Sequence, residues 1–180
     1  PQVSNGENFT AVLKEDGTVW TSGYNGNGEL GDGTTTSSSE LKQVKIDADT
    51  YLTNVKKIST SSNYTIALTK NGDVYGWGYN NQNQLGVGDT SNHVYATHVK
   101  NSDGSGNLEN IIDISAGVAN SVFVDNTGKV YVTGNSSNNQ YLGKTVNSTG
   151  TTLVGNFNAI SCSSGNCNVE VINQNGKAIA

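Results

Sequence analysis

Several residue types are scarce in this 180-residue chain, and each scarcity excludes a class of protein. There is no methionine, only one proline and two cysteines, and charged residues make up 14% of the chain against about 25% in an average domain. Strong helix formers are few, which excludes a coiled coil or a helical bundle. No apolar run approaches the roughly 20 residues that a membrane-spanning helix needs, so we expect no membrane insertion.

Basic residues are scarce as well, and this limits the partners that the chain can have. Ten Lys and Arg stand against 15 Asp and Glu, which gives a formal net charge of −5. Nucleic-acid binding draws its affinity from Lys and Arg placed against phosphates, and the ten here are scattered along the chain. We therefore expect no nucleic-acid partner, whereas an acidic, polar surface favours a basic protein partner.

A repeated motif dominates what is present. The units that align with one another are residues 9–33, 64–88 and 120–143, with a degenerate fourth copy at 168–180. Each full unit has a short apolar strand, a turn with glycine and a second strand. The turn glycines Gly17, Gly72 and Gly128 are 55 and 56 residues apart. Asp-Gly and Asn-Gly turns between apolar strands are strong hairpin signals, because these turns need positive φ.

The period of the repeat predicts the fold class. One hairpin cannot bury both of its faces, but a series can when successive units stack. A period near 50 residues with several short strands per unit is typical of propeller blades. We predict an all-β chain, a partial β-propeller of three to four blades, with recurring aromatic residues such as Trp20 and Trp77 packed between blades. The predicted repeats of this single segment are approximately 3–57, 58–113, 114–159 and, in part, 160–180.

The most specific residues of the repeat lie in its second unit. They are the turn Asn71-Gly72, the pair Val74-Tyr75, the run Trp77-Gly78-Tyr79-Asn80 and Gln84-Leu85-Gly86, with Ile114-Ser115-Ala116-Gly117 in the third unit. This pattern resembles the regulator of chromosome condensation repeat, a β-propeller family, and the resemblance covers nearly the whole chain. It implies a segment of a seven-bladed propeller, which at this spacing would need roughly 385 residues.

Three and a half repeats do not close such a ring. We expect the chain to be a piece of a larger protein that supplies further blades; the alternatives are pairing with another chain and an open arc with a protected edge. The resemblance also implies protein binding, because family members with similar repeats include exchange factors for small GTPases and a β-lactamase inhibitor. The fold by itself does not fix the partner.

Two loop motifs resemble ligand sites. Gly26–Gly31 fits GxGxxG, but a dinucleotide site needs a helix after it, and no helical pattern follows, so we predict a blade turn. Asn101–Glu109 resembles the start of a calcium loop, but its twelfth place is Ile112 instead of a bidentate Glu. We predict a structural loop tip there, with a weak calcium site at Asp103 and Glu109 as the alternative.

Neither the histidines nor the cysteines form a catalytic or metal-binding pattern. His93 and His98 lack the spacing of a zinc helix and are predicted to be exposed loop residues. Cys162 and Cys167 lie five apart with no second Cys or His pair to complete a zinc site, so they form either a disulfide or two free thiols. We therefore predict no enzymatic activity, no cofactor and no metal.

Long inserts after the Leu-Gly pairs offer the best candidate site. They run from Thr34 to Asn54 and from Asp89 to Asn110. Function on repeat scaffolds tends to lie in such loops, and tyrosine suits interfaces because it buries a large area with few rotatable bonds. The candidate partner-binding residues are Asp47, Asp49, Tyr51, Tyr95, Asp103 and Glu109.

The sequence therefore predicts a non-enzymatic protein-protein interaction module that presents loops from a propeller scaffold. The alternative is a structural or adhesive repeat module of a bacterial secreted or cell-surface protein, which a surface rich in Asn, Ser, Thr and Gly also fits. The same composition favours an extracellular or cell-surface location over the alternative, the cytoplasm.

Overall fold

The computed structural model of the chain describes residues 1–134 and, beyond them, the backbone of four short strands. Cys162 and Cys167 lie outside the described residues, so the choice between a disulfide and two thiols stays a prediction. The described part contains fifteen strands and no helix, hence no helix that could cross a membrane. The strands are β1 Gln2–Asn5, β2 Phe9–Leu13, β3 Val19–Gly23, β4 Ser38–Gln43, β5 Val55–Thr60, β6 Tyr64–Thr69, β7 Val74–Gly78, β8 His93–His98, β9 Ile111–Ala116, β10 Asn120–Asp125, β11 Lys129–Gly134, β12 Thr152–Asn156, β13 Ala159–Ser161, β14 Glu170–Ile172 and β15 Ala178–Ile179.

Strands that follow one another in the chain pair antiparallel and build four sheets. β1 to β4, β5 to β8 and β9 to β12 form three four-stranded sheets, and β13 to β15 form a three-stranded one. Each sheet is a simple meander, which is the architecture of a propeller blade. The prediction of an all-β chain with a series of short antiparallel blades is confirmed.

The tight hairpins lie where the glycine spacing predicts them. Gly17 has a φ of 84°, and its N–H donates to the carbonyl of Lys14 at 3.0 Å to close the turn between β2 and β3. Gly72 and Gly128, with φ of 91° and 82°, close the equivalent turns of the next two sheets. A side chain would be strained at such angles, so these turns depend on glycine.

Apolar clusters between successive sheets form the core. One cluster includes Val19 of the first sheet and Trp77 of the second, and the next joins Leu68 of the second sheet to Phe123 of the third. The indole N–H of the fully buried Trp77 donates at 3.0 Å to the carbonyl of Glu29, which lies in the loop between β3 and β4 of the first sheet. Packing between blades, predicted for Trp77, is therefore confirmed.

Trp20 does not follow the same prediction. Its ring is half-buried, its N–H donates to the hydroxyl of Thr18 at 2.9 Å, and the Lys14 ammonium lies 4.0 Å from the ring centre. It lies on the face of the first sheet that points away from the second, where no other described sheet packs. Packing between blades is therefore wrong for Trp20 within the part of the chain that is described.

The first strands of the sheets lie side by side and align the stack. The side-chain amide of Gln2 donates to the carbonyl of Ile58 at 2.8 Å and accepts from its N–H at 3.0 Å, and Ser4 is hydrogen-bonded to Thr60. β5 and β9 are joined in the same way, by an ion pair between Lys57 and Asp113 and by a hydrogen bond from the N–H of Ala116 to the hydroxyl of Ser59. These strands therefore run in the same direction, and equivalent loops of successive sheets point to the same edge.

The sheets thus have two edges that differ in their loops. The edge that we call the hairpin edge carries the turns between β2 and β3, β6 and β7, and β10 and β11, together with loops 44–54 and 99–110. The opposite edge, which we call the glycine edge, carries loops 24–37 and 79–92.

Candidate partner-binding loops

Loop 44–54 leaves the first sheet as a short projection with a buried base. Val44 and Leu52 are buried in the cluster between the first two sheets, and the N–H of Leu52 donates to the carbonyl of Val44 at 2.9 Å. Farther out, the N–H of Ile46 donates to the carbonyl of Thr50 at 2.9 Å. The core therefore anchors the base of this loop and leaves its tip in solvent.

The tip of loop 44–54 presents two predicted carboxylates and a tyrosine. A carboxylate oxygen of Asp47 accepts hydrogen bonds from the N–H groups of Asp49 and Thr50 at 2.9 and 2.8 Å, and these bonds hold the pKa of Asp47 below its usual value. Asp47 and Asp49 are exposed, and Tyr51 is 47% exposed with the Lys45 ammonium 5.5 Å from its ring centre. The turn is therefore fixed by its own aspartate while its outer atoms face water.

Loop 99–110 repeats this construction on the second sheet. Val99 and Leu108 are buried at its base, where the N–H of Leu108 donates to the carbonyl of Val99 at 2.8 Å. At the tip, Asp103 accepts from the N–H of Ser105 at 2.8 Å, and Ser105, through its hydroxyl first and then this N–H, lowers the pKa of Asp103. Asp103 and Glu109 are both exposed.

Five of the six predicted partner-binding residues therefore lie on the hairpin edge, in the two equivalent loops of adjacent sheets. Tyr95 does not join them, because it lies on β8, the outer strand of the second sheet. It is half-buried there, forms a main-chain bridge with Asp32, and its ring lies where a side chain on Gly33 would be. The structure thus gives Tyr95 a contact between the first two sheets.

The two histidines are also placed differently from the prediction. They are the end residues of β8 and are half-buried, so their prediction as exposed loop residues is wrong. His93 is hydrogen-bonded to Thr97 and to Asp89, while the ring of His98 lies 4.1 Å from that of Tyr75. Burial lowers the pKa of His98, which favours its neutral form at neutral pH.

The glycine edge contains the polar residues that the sequence analysis missed. Glu29 is fully buried, and its carboxylate accepts from the main-chain and side-chain N–H groups of Asn27 at 2.8 and 2.7 Å. Gln84, one repeat later, is also buried and accepts from the N–H of Gln82 at 2.9 Å. The recurrence of a long polar side chain at one place in two repeats is the signal that could have found them.

The two ligand-like motifs lie in ordinary turns. Residues 26–31 form successive turns without a following helix, which confirms the blade-turn prediction for the GxGxxG sequence. In loop 99–110 the N–H of Gly106 donates to the side-chain oxygen of Asn101 at 3.3 Å. Asn101 holds the first place of the calcium-like motif, and its side-chain oxygen is thus bonded within the loop. Across the residues that the structure describes, no group of three or more His, Cys, Asp or Glu side chains could hold a metal ion.

The meander sheets, stacked along a repeat of 55 to 56 residues, define a β-propeller repeat protein. Two family models, both described as the regulator of chromosome condensation (RCC1) repeat, match the chain. The first matches residues 2–29, 55–84 and 111–140, and the second matches 16–68 and 71–124. The chain belongs to the family of regulator of chromosome condensation repeat proteins.

Curated relatives share this repeat over much longer chains. The chain is 30% identical over 133 residues to the ultraviolet-B receptor UVR8 of Arabidopsis thaliana, covering 74% of this chain and 29% of the receptor. It is 33% identical over 136 residues to the human E3 ubiquitin-protein ligase HERC2, covering 75% of this chain and 3% of the ligase. The chain thus spans less than a third of either relative.

Solved structures show the same fold. Human WBSCR16 superposes with a TM-score of 0.80 at 20% identity, over 99% of this chain and 46% of its own. Yeast RCC1 (Prp20), in a structure with Kap60 bound, superposes with a TM-score of 0.69 at 20% identity, over 98% of this chain and 42% of its own. At this level of identity the likeness establishes the propeller fold alone.

Proposed function

We propose that the chain is a non-enzymatic protein-interaction module and that its partner binds the hairpin edge. Support comes from the family, in which yeast Prp20 has been solved with Kap60 and studied for its binding to Gsp1p and histones. Support also comes from loops 44–54 and 99–110, where the exposed carboxylates of Asp47 and Asp103 accept hydrogen bonds from turn N–H groups.

The observation that carries the proposal is a pair of anchored loops that project from the same edge of adjacent sheets. Loops 44–54 and 99–110 each have a buried aliphatic base and an exposed acidic tip. The tips present Asp47, Asp49 and Asp103, and at the first tip the ammonium of Lys45 donates to the carbonyl of Ala48 at 3.2 Å. A protein partner with a basic surface fits these loops, because complementary charge speeds encounter and fixes orientation.

Loop rigidity also favours binding. The hydrogen bonds from Asp49 and Thr50 to Asp47, and from Ser105 to Asp103, hold each tip in one turn before any partner arrives. A loop that is already ordered loses less conformational entropy on binding. Tyr51 then supplies the large side chain that usually carries binding energy at the centre of an interface.

A matched pair of tyrosines tests which edge binds. Tyr51 on the hairpin edge and Tyr24 on the glycine edge are 47% and 49% exposed, so they differ in position and not in accessibility. A photo-reactive amino acid placed at Tyr51 should cross-link the partner in cells, and the same group at Tyr24 should not. With the purified partner, Tyr51→Ala should weaken binding about thirtyfold, while Tyr24→Ala leaves the dissociation constant unchanged.

The charge of the partner is tested with the same purified pair. Asp47→Asn combined with Asp103→Asn should slow association and flatten its dependence on salt, because exposed charges act mainly on the association rate. Binding that is lost with Tyr24→Ala and kept with Tyr51→Ala would contradict the proposal.

The structural or adhesive alternative, and the extracellular, cell-surface or cytoplasmic location, stay predictions of the sequence composition. Adhesion predicts binding of the chain to glycans or whole cells that is unaffected by Tyr51→Ala. Such binding in the absence of a protein partner would favour that alternative.

A further inference from the structure

His98 lies between the bases of the two loops that project from the hairpin edge. It is the last residue of β8 and the cross-strand partner of Tyr75 on β7, and the two ring centres are 4.1 Å apart. The next residue, Val99, is part of the buried base of loop 99–110. Tyr75 in turn packs on the apolar cluster that includes the base of loop 44–54. One contact between two rings therefore joins the supports of both loops.

The environment of the His98 ring suits its neutral form. Its Nδ1 atom is buried and has no hydrogen-bond partner among the described residues. A neutral imidazole with its proton on Nε2 leaves only an unused acceptor there, whereas the protonated ring carries an N–H on both nitrogens. Protonation would therefore place a charged donor at Nδ1 without an acceptor, and burying such a group costs free energy. The neighbouring ring of Tyr75 is neutral too, since burial, and after it the charge of Asp73, raises its pKa.

The charged groups around His98 do not offset this cost. Asp73, in the turn between β6 and β7, and Glu109 favour the protonated ring, and Lys100 opposes it. Among the described residues, loop 44–54 adds no charged group that acts on His98. Burial is the largest effect, so the pKa of His98 is lowered.

The stability that the buried His98 ring contributes is therefore present at neutral pH and lost in acid. In the unfolded chain its pKa is about 6.5, and in the folded chain it is lower, so the unfolded chain binds the proton first. The contribution is complete above about pH 6.5 and shrinks as the pH falls from there through the folded-state value.

We propose that His98 is a pH-sensitive contact beneath the hairpin edge and that its protonation loosens the bases of loops 44–54 and 99–110. At neutral pH the ring stays packed on Tyr75, and both loops keep their anchored form. In acid the charged ring leaves this contact for water. The loosening concerns the hairpin edge alone, because His98 lies at that end of β8 and His93 lies at the other.

The contact would also regulate partner binding, a consequence that rests on the function proposed above. Loops that have lost their anchored form must be ordered again when a partner binds, and this ordering costs conformational entropy. Affinity for the partner should therefore fall as the pH falls.

Amide exchange of the chain without a partner tests the proposal at the base of each loop. The N–H groups of Leu52 and Leu108 close these bases by bonding across them. Between about pH 7.5 and pH 5.5, histidine changes its charge while carboxylates and lysines keep theirs. Over this range the protection factors of Leu52 and Leu108 should fall about threefold or more. Those of Leu30 and Leu85, whose N–H groups are bonded within the glycine edge, should not change.

The two histidines of β8 provide a matched pair of variants, since the chain contains no third histidine. His98→Gln removes the ring that titrates and should make the protection of Leu52 and Leu108 equal at the two pH values. His93→Gln, at the opposite end of the strand, should leave the acid response intact.

The ring signal of His98 in the parent chain, followed by NMR, adds a measurement that needs no substitution. It should titrate below the pH at which free histidine does. Unchanged protection of Leu52 and Leu108 in the parent chain at the lower pH would overturn the proposal. So would an acid response that persists in His98→Gln, or a His98 ring that titrates at or above the value of free histidine.

The purified partner separates this proposal from the function proposed for the edge. For the parent chain the dissociation constant should rise about threefold or more over the same pH range, and for His98→Gln it should not. Loosened loops with unchanged binding would contradict the function proposed for this edge and would still support the contact. Loops that stay protected in acid would overturn the contact, whatever the partner does.

Discussion

Asn83 shows how one residue can keep a turn in place at a cost to stability. It has a φ of 57°, is 3% exposed, and neither atom of its side-chain amide has a hydrogen-bond partner. Gly28 stands at the same place one repeat earlier with a φ of 87°. A buried amide without partners is destabilising, and a positive φ suits glycine better than asparagine.

Asn83→Gly should therefore raise the free energy of unfolding by about 1 kcal/mol, even though it removes buried atoms. Asn83→Ala should have a lower free energy of unfolding than Asn83→Gly, because alanine removes the unpartnered amide but keeps the strain of a positive φ. Urea unfolding of the three chains measures both differences. An Asn83→Gly chain less stable than the parent would show that the amide makes a bond that stabilises the turn.

Asp125 links stability to pH at the third hairpin. Burial by itself raises the pKa of this carboxylate, but hydrogen bonds from Thr127 and from the N–H of Lys129 outweigh it and lower the pKa. A lowered pKa in the folded chain gives stability above the unfolded-state pKa of about 3.9, and this stability is lost as the pH falls through the folded-state value.

Asp125→Asn should reduce the free energy of unfolding by about 1 kcal/mol at pH 7 and have little effect at pH 2. The matched control is Asp16→Asn in the first hairpin, where the same bonds to Thr18 lie in an exposed turn and the effect should be smaller. Unfolding curves recorded from pH 7 to pH 2 give the pH dependence of the loss in stability for both variants. A loss for Asp125→Asn that is equal at both pH values would exclude this linkage.

At the scale of strands, the sequence predicted hairpins well and outer strands poorly. β2 with β3 and β6 with β7 follow from apolar strands around a glycine turn, and the structure has them. β4 and β8 fall inside segments interpreted as loops, because β4 reads Ser-Ser-Glu-Leu-Lys-Gln and has no alternation of apolar and polar residues. An outer strand with one side in solvent needs no such alternation, so periodicity could not reveal it.

Tyr64 joins β6 of the second sheet to β10 of the third. Its buried hydroxyl lies 2.6 Å from the carbonyl of Asn120 and 2.8 Å from that of Gly117, and it accepts from the hydroxyl of Ser121 at 3.1 Å. Phe9 stands at the same place in the first sheet. One tyrosine thus satisfies main-chain groups of the next sheet that water cannot reach.

Tyr64→Phe should reduce the free energy of unfolding by about 1–3 kcal/mol, because it removes the buried hydroxyl that bonds to the carbonyls of Asn120 and Gly117. The control is Tyr24→Phe, which changes an exposed tyrosine. Thermal and urea unfolding measure the two losses. Equal losses for the two variants would mean that the bonds of Tyr64 add nothing to the contact between sheets.

At the scale of the whole molecule, the two edges of the stack differ in how far their loops are buried. Loops of the glycine edge are tied into the core, since Asn25 and Asn80 are fully buried and accept the N–H of Leu30 and of Leu85. Loops of the hairpin edge are buried only at the base. The length of the inserts was enough to predict the five residues on that edge. Tyr95 was predicted with them because the sequence of a long insert does not distinguish a tyrosine that faces solvent from one that packs on a neighbouring sheet.

The hydrogen-exchange footprint of the partner on the chain tests the central claim most directly. With the purified partner at saturation, exchange should slow in residues 44–54 and 99–110 and stay unchanged in 24–37 and 79–92. Slowed exchange confined to 24–37 and 79–92 would contradict the account, because the partner would then bind the edge whose loops are already used for packing.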